Sequence, residues 1–196
     1  VFKPEIVPVE IKGRHGAVTV FDTDEGPREG VTVESLAKLK PCFVTDGTGT
    51  VTAGNSSSLN DAAAAVVMMK RSKAEELGCT PMLTIRGWAV AGYDATLMGY
   101  SPYFSTVELC KQLDLDVKTI DMFELNEAFA SQSVAVSRDL GLDPDKLNIY
   151  GGGISLGHPI GATGAILVIK CAYELARTDK RDAMVSMCIG GGQGIS

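Results

Sequence analysis

Hydrophobic positions fall in short runs along this chain, and their pattern changes at Pro81. Before it, residues 5–11 (EIVPVEI) and 17–22 (AVTVFD) form two extended runs joined by the polar turn Lys12-Gly13-Arg14-His15-Gly16, which predicts a hairpin. A loop from Thr23 to Gly30 leads to Thr32, whose side chain can cap a short helix carrying Leu36 and Leu39 on one face, with Pro41 beyond its end. Residues 45–60 (TDGTGTVTAGNSSSLN) are polar and glycine-bearing and, taken alone, read as a linker. Asn60 or Asp61 then caps the run AAAAVVMMKRSKAEEL, predicted helical to Leu77, with Gly78 where a left-handed stop belongs.

From Pro81 onward, strand and helix patterns alternate. Strands are expected at about 83–91, 119–125, 147–150 and 183–189, and helices at about 102–113, 127–140 and 162–177. This alternation predicts an α/β layered domain with helices packed on a sheet. The 162–177 run is apolar almost all round (Ala165, Ile166, Leu167, Val168, Ile169), so it is expected to be buried between layers.

Composition narrows the class. The 196 residues are 45% hydrophobic, 21% charged and 6% aromatic, which excludes a disordered, collagen-like or coiled-coil chain. No apolar run approaches the ~20 residues of a membrane-crossing helix. A net charge of −6 argues against non-specific nucleic-acid binding, which needs a basic surface. The five cysteines (Cys42, Cys79, Cys110, Cys171, Cys188) are odd in number and irregularly spaced with no CxxC pair. Neither a disulfide framework nor a metal site is expected, and a reducing compartment is favoured. The cytoplasm is the expected location, with the mitochondrion as the alternative, because a targeting segment would lie upstream. Val1-Phe2-Lys3-Pro4 does not read as a signal peptide, and Ser196 follows a glycine-rich turn where a strand would continue. The chain is therefore expected to be a piece of a longer protein.

Three residues stand in surroundings that carry chemistry. Asn126 lies at a predicted strand-to-helix junction in Glu124-Leu125-Asn126-Glu127-Ala128-Phe129. It reads either as a helix N-cap or as an amide that orients a water or an oxyanion in the ligand crevice of an α/β fold. His158 lies between glycine-rich backbone and Pro159, at the start of the apolar 162–177 run. Little side-chain bulk surrounds it, and a bound group there would meet backbone N–H groups. His15, in the hairpin turn, reads as solvated surface. Cys188 closes an apolar strand before Ile189-Gly190-Gly191-Gly192-Gln193-Gly194. It is either a small buried hydrophobe or a reactive thiol beside bare N–H groups suited to an oxyanion hole. No GxGxxG follows the first strand and no GxxxxGK[ST] occurs, so a nucleotide site is weakly supported. The residues alone suggest acyl or thioester chemistry, with Cys188 as the nucleophile.

Taken together, these motifs closely resemble the thiolases, in particular the C-terminal half of their acetyl-CoA acetyltransferase branch. Asn126-Glu127-Ala128-Phe129 matches the family's NEAF box, Gly157-His158-Pro159 its GHP box, and Cys188-Ile189-Gly190-Gly191-Gly192 its CxGxG box. Val51-Thr52-Ala53-Gly54-Asn55 to Asn60-Asp61 resembles the stretch that closes the loop domain over coenzyme A. The resemblance implies a thiolase-like layered α/β fold. Residues 1–59 would be the end of the loop domain, 60–81 the last helix of the N-terminal domain, and 82–196 a C-terminal βαβαβαββ domain.

The resemblance also reassigns a role. The family's acyl-accepting cysteine lies in an N-terminal stretch with no counterpart here, so Cys188 is implied to be the acid/base. His158 is implied to activate the absent nucleophile and help bind a thioester oxygen. Asn126 would hold a water in that first oxyanion hole, and the Gly190 N–H would serve the second. Ser57 is implied to contact the pantetheine arm, while Ala53, Leu59, Met98 and Phe129 would line the acyl and pantetheine channel. Ser58 and Ser155 stand where the family usually has Gly and Ala, which implies altered hydrogen bonding near coenzyme A.

The implied reaction is reversible Claisen condensation of two acetyl-CoA to acetoacetyl-CoA plus CoA. The coenzyme A thioester is the substrate, no further cofactor is implied, and the complete enzyme would be a homodimer or homotetramer. A 3-ketoacyl-CoA thiolase of broader chain length is an alternative, and a non-catalytic coenzyme A-binding module is another. A ketoacyl synthase is disfavoured, because its sites use histidines where this chain has Asn126 and Cys188.

Overall fold

The computed structural model describes residues 2–196. Near the start, β1 (Val9–Lys12) and β2 (Val18–Phe21) pair antiparallel, Val9 opposite Phe21 and Lys12 opposite Val18, as a free-standing hairpin exposed along its length. Both strands are shorter than the extended runs in the sequence. His15 occupies the turn with φ 61° and is exposed, as its reading as surface requires. Thr32 caps α1 (Val33–Leu36) through a reciprocal pair of bonds with Ser35. Leu39 lies beyond the helix end.

The remainder is built on a four-stranded sheet of order β3-β6-β5-β4. β3 (Val90–Gly92), β4 (Met122–Leu125) and β5 (Ala183–Cys188) are joined by β6 (Gln193–Ile195), which runs antiparallel to both β3 and β5. β4 and β5 pair in parallel, Phe123 opposite Met184 and Leu125 opposite Ser186. Period-2 alternation sends successive side chains to opposite faces. Phe123, Leu125 and Met184 join Leu109 of α3 (Ser101–Leu113) and Val136 and Leu140 of α4 (Ala130–Leu140) in the main apolar core. Glu124 turns the other way, toward Lys170 of α6 (Thr163–Arg177). The sheet is thus sandwiched between α3 with α4 and α6. Hydroxyl groups stitch α3 to the sheet. Ser196 Oγ lies 2.7 Å from Ser105 Oγ and 2.7 Å from Ser186 Oγ, and Ser101 Oγ donates to the Gln193 carbonyl at 2.7 Å.

Several sequence expectations are corrected. The helix expected from Asn60 or Asp61 to Leu77 is confined to α2 (Arg71–Glu76), and residues 61–70 are irregular. A helix gains most of its stability from a buried apolar face, and here Val67 and Met68 are 89% and 68% exposed with nothing packed over them. Gly78 does take the left-handed stop, with φ 66°. The strand expected at 83–91 pairs only at its end, in β3 and through Ala89 to Ser196. Residues 82–88 instead border an apolar groove of about 630 Å³ between α3, α6 and β5, with no ladder partner. The 147–150 strand is reduced to one bridge, Leu147 to Phe123, because Asn148 turns left-handed at φ 46°. The α6 helix is buried along one face (Leu167, Cys171, Ala172, Glu174), whereas Tyr173 is 64% exposed. Among the described residues, no helix is long and apolar enough to cross a membrane.

Candidate active site

The segment after β4 does not become helical at Asn126, which removes the N-cap reading. The α4 helix begins at Ala130, with Phe129 as its cap residue and no side-chain cap. Asn126 is 2% exposed, and its N–H donates to the Ser186 carbonyl of β5 at 2.9 Å, extending the β4–β5 ladder one residue. Its amide is therefore free to face the site. Asn126 Nδ2 lies 3.3 Å from His158 Nε2.

His158 is delivered by α5 (Gly153–Leu156) and the turn after it, where Gly157 has φ 97°. Its backbone N–H donates to Asn60 Oδ1 at 3.1 Å. The ring state follows from its partners. His158 Nδ1 is 2.7 Å from Thr163 Oγ1, whose hydroxyl donates to the Pro159 carbonyl at 2.9 Å. A hydroxyl has one proton; with that proton on Pro159, Thr163 accepts from Nδ1–H. This leaves Nε2 as an acceptor, matched by the Asn126 amide donor. Burial pushes the His158 pKa below its ordinary value, which favours the neutral ring. The long 3.3 Å contact is readily exchanged for a ligand oxygen that both groups can reach.

Cys188 is 8% exposed at the end of β5, opposite Gly194, and burial pushes its thiol pKa up. The turn after it needs φ of 89°, 58° and 83° at Gly190, Gly191 and Gly192, a left-handed series that side chains resist. The Gln193 N–H closes the turn on the Gly190 carbonyl at 3.0 Å. Gly190 itself is exposed. Asn126 and His158 are hydrogen-bonded to each other, and no hydrogen bond joins Cys188 to either.

The polar stretch expected as a linker is docked rather than free. The Ser57 N–H donates to the Ala128 carbonyl at 3.0 Å, Ala130 N–H to Asn55 O at 2.9 Å, and bridges join Ser56 to Phe129 and Leu59 to His158. Ser57, Leu59 and Phe129 thus gather beside His158 and Asn126, with Phe129 edge-on to Phe43. Leu59 is 92% exposed, Ala53 is exposed, and Met98 sits half-buried in the turn before α3. Neither Ala53 nor Met98 contacts the Asn126–His158 pair through a hydrogen bond.

Sequence reasoning missed Thr163 and Asn148, and it named Asn60 and Glu127 only as cap or motif residues, without the contacts they make. None has a one-residue signature, because each acts through a contact made across the fold. It also missed the buried pair of Lys170 with Glu124, at 2.7 Å, in which Lys170 Nζ also donates to the Gly151 carbonyl at 3.0 Å. Desolvation pushes the Glu124 pKa up despite that partner.

Comparison with known proteins completes the site's setting. The family model for the thiolase C-terminal domain matches residues 79–196, and that for the thiolase N-terminal domain matches residues 1–72. The chain is 53% identical over its full length to the beta-ketothiolase BktB of Cupriavidus necator, covering 49% of it. It is 46% identical to an acetyl-CoA acetyltransferase of Allochromatium vinosum, again covering 49%. Among solved structures, the Bacillus anthracis acetyl-CoA acetyltransferase superposes with a TM-score of 0.89 at 44% identity, over 99% of this chain and 48% of that one. Human mitochondrial 3-ketoacyl-CoA thiolase gives 0.83 at 39% identity, over 96% and 47%. The chain spans about half the length of the curated relatives it matches. With both family models aligned in order, and with the NEAF, GHP and CxGxG boxes on the α/β fold shared with these structures, the chain belongs to the thiolase family.

Proposed function

We propose that this chain supplies the C-terminal half of an acetyl-CoA C-acetyltransferase, which condenses two acetyl-CoA into acetoacetyl-CoA and CoA, reversibly. The Thr163–His158–Asn126 arrangement carries the reading: a neutral imidazole whose open nitrogen and a buried amide donor converge on one point. His158 takes the proton of a nucleophilic cysteine supplied by the remainder of the enzyme, making a thiolate that attacks the thioester and expels CoA. Asn126, through a water, and the resulting imidazolium stabilise the developing oxyanion. Cys188 passes its proton to the departing CoA. In the second half-reaction its thiolate takes a proton from the methyl group of the second acetyl-CoA, whose carbon attacks the acetyl-cysteine and frees that sulfur, while the Gly190 N–H faces the enolate oxygen. A thiol with a raised pKa suits a proton donor better than a resting nucleophile.

The residues docked around the pair support a coenzyme A path. Ser57 would contact the pantetheine arm, with Ala53, Leu59, Met98 and Phe129 along it. A solved relative, the human mitochondrial 3-ketoacyl-CoA thiolase, is described in complex with CoA. Coenzyme A enters as the thioester substrate, and no other cofactor is required by these steps. Residues 1–59, 60–81 and 82–196 would be the end of the loop domain, the last segment of the N-terminal domain and the C-terminal domain. A homodimer or homotetramer in the cytoplasm goes with this reading; a rat relative, 43% identical, is named as cytosolic.

The test is a chimera in which this chain replaces the matched half of the Cupriavidus necator relative. Thiolysis of acetoacetyl-CoA is expected, and a chimera that folds and binds CoA without turnover contradicts the enzyme reading. A second reading, thiolysis of longer 3-ketoacyl-CoA substrates, is kept because the chain is similar both to a protein named beta-ketothiolase and to one named 3-ketoacyl-CoA thiolase. A chain-length series on the same chimera separates the two by kcat/KM.

A further inference from the structure

We propose that Glu127, acting with Asn148, is the positioning pair that holds the Asn126 amide against the His158 imidazole. Asn148 clamps the residue before Asn126. Its left-handed backbone, φ 46°, aims the side chain at β4, where Oδ1 accepts from the Leu125 N–H at 2.9 Å and Nδ2 donates to the Leu125 carbonyl at 2.9 Å. The side chain thus stands in for a neighbouring strand. Glu127 is itself the residue after Asn126, and its side chain is anchored. Its Oε1 accepts from the same Asn148 Nδ2 at 2.8 Å, and its Oε2 accepts from the Ile154 N–H of α5 at 3.3 Å.

The carboxylate therefore links the strand end bearing Asn126 to the short helix that delivers His158. It lies directly over the Gly152 backbone, where any Cβ would come within 2.3 Å of Glu127 Cδ. The backbone of the residue before Asn126 and the side chain of the residue after it are thus tied to one carboxamide–carboxylate pair, and so is the start of α5. The 3.3 Å approach of Asn126 Nδ2 to His158 Nε2 is the geometry this linkage sets. Neither residue is hydrogen-bonded to the ring. Its partners are Asn126 and Thr163, with no charged side chain bonded to it. The consequence for turnover rests on the reading of His158 and Asn126 proposed above; the linkage itself does not.

The chain has two histidines, and His15 is an exposed internal reference. The imidazole nitrogen and carbon resonances of the 196-residue chain, kept dilute and cold and carrying Val67→Lys and Met68→Lys to limit association through those exposed side chains, therefore read His158 through a pH titration directly and without catalysis. In Asn148→Ala and Glu127→Gln, loss of the Asn126 donor is expected to move the Nε2 resonance and raise the His158 pKa by roughly 0.4–1 pH unit, the worth of one net hydrogen bond. His15 should be unmoved. Glu127→Gln keeps one acceptor and most of the shape, so it serves if Asn148→Ala fails to fold. An unchanged His158 in a folded variant overturns the proposal. A lowered pKa in Glu127→Gln alone does so too, since it marks a through-space charge effect. Failure of the catalytic reading would appear instead in the chimera's turnover and would leave these resonances untouched.

Discussion

The Thr163 hydroxyl has a single proton, and its donation to the Pro159 carbonyl decides which nitrogen of His158 is a base. Thr163→Val is expected to leave a buried ring N–H without a partner, at a cost of about 1–3 kcal/mol in stability. Thr163→Ser should recover most of it, and denaturant unfolding of the two variants checks this. The same residues set the pH dependence of the completed enzyme. His158 must be neutral to accept a proton, and burial lowers its pKa, so the acid limb of kcat/KM should lie below the ordinary histidine range. Cys188 must hold its proton, and burial raises its pKa, so the alkaline limb should lie above the ordinary thiol range. A pH profile narrower than two such unperturbed groups would give contradicts these assignments.

At the scale of elements, the site depends on how closely backbone approaches side chain. Gly152 has an extended backbone, φ −134° and ψ −160°, that any residue can adopt, so its need for glycine is steric. Gly152→Ala would drive a methyl into the Glu127 carboxylate. It is expected to cost about 1–3 kcal/mol and to broaden or shift the His158 resonances, both measurable on the isolated chain. The elements fixed by local chemistry were the most legible in the sequence. Thr32 at a cap, Gly78 at a left-handed stop and the apolar 162–177 and 183–189 runs are dictated by local chemistry, and they stand where they were expected. The 61–70 and 83–88 segments were not legible, because their patterns describe a partner surface that this chain does not present. The pattern of Val66, Val67, Met68 and Met69 announces burial, and the structure leaves all four exposed. Asn148 was illegible for another reason: a left-handed turn that puts a side chain in place of a strand has no periodic signal.

At the scale of the whole molecule, the unpaired apolar surface has a consequence. Val67, Met68, Met82, Trp88 and Leu59 are all more than half exposed, and apolar surface of this kind drives association when it is contiguous. The isolated 196-residue chain is expected to self-associate or to melt at low temperature, and replacing Val67 and Met68 by Lys should reduce association. Light scattering with thermal unfolding checks this, and a monodisperse monomer with a sharp, high-temperature transition contradicts it. The motif residues were legible as a set, while their roles were not. Read in isolation, Cys188 beside a glycine turn suggests a nucleophile; its family setting and its burial suggest a proton carrier.

That division of labour is the centre of the account, and mass spectrometry of the completed chimera tests it most directly. His158→Ala should slow acetyl-enzyme formation by ~10²–10⁴-fold, as for a lost general base. In Cys188→Ser, a hydroxyl replaces a thiol and cannot hold and return a proton near neutral pH. Mixed with acetyl-CoA, that variant should still acquire one acetyl group on the nucleophile and accumulate it, while exchange of the methyl protons with heavy water and condensation both collapse. A folded Cys188→Ser variant that takes up no acetyl group would contradict the account and return Cys188 to the role of nucleophile.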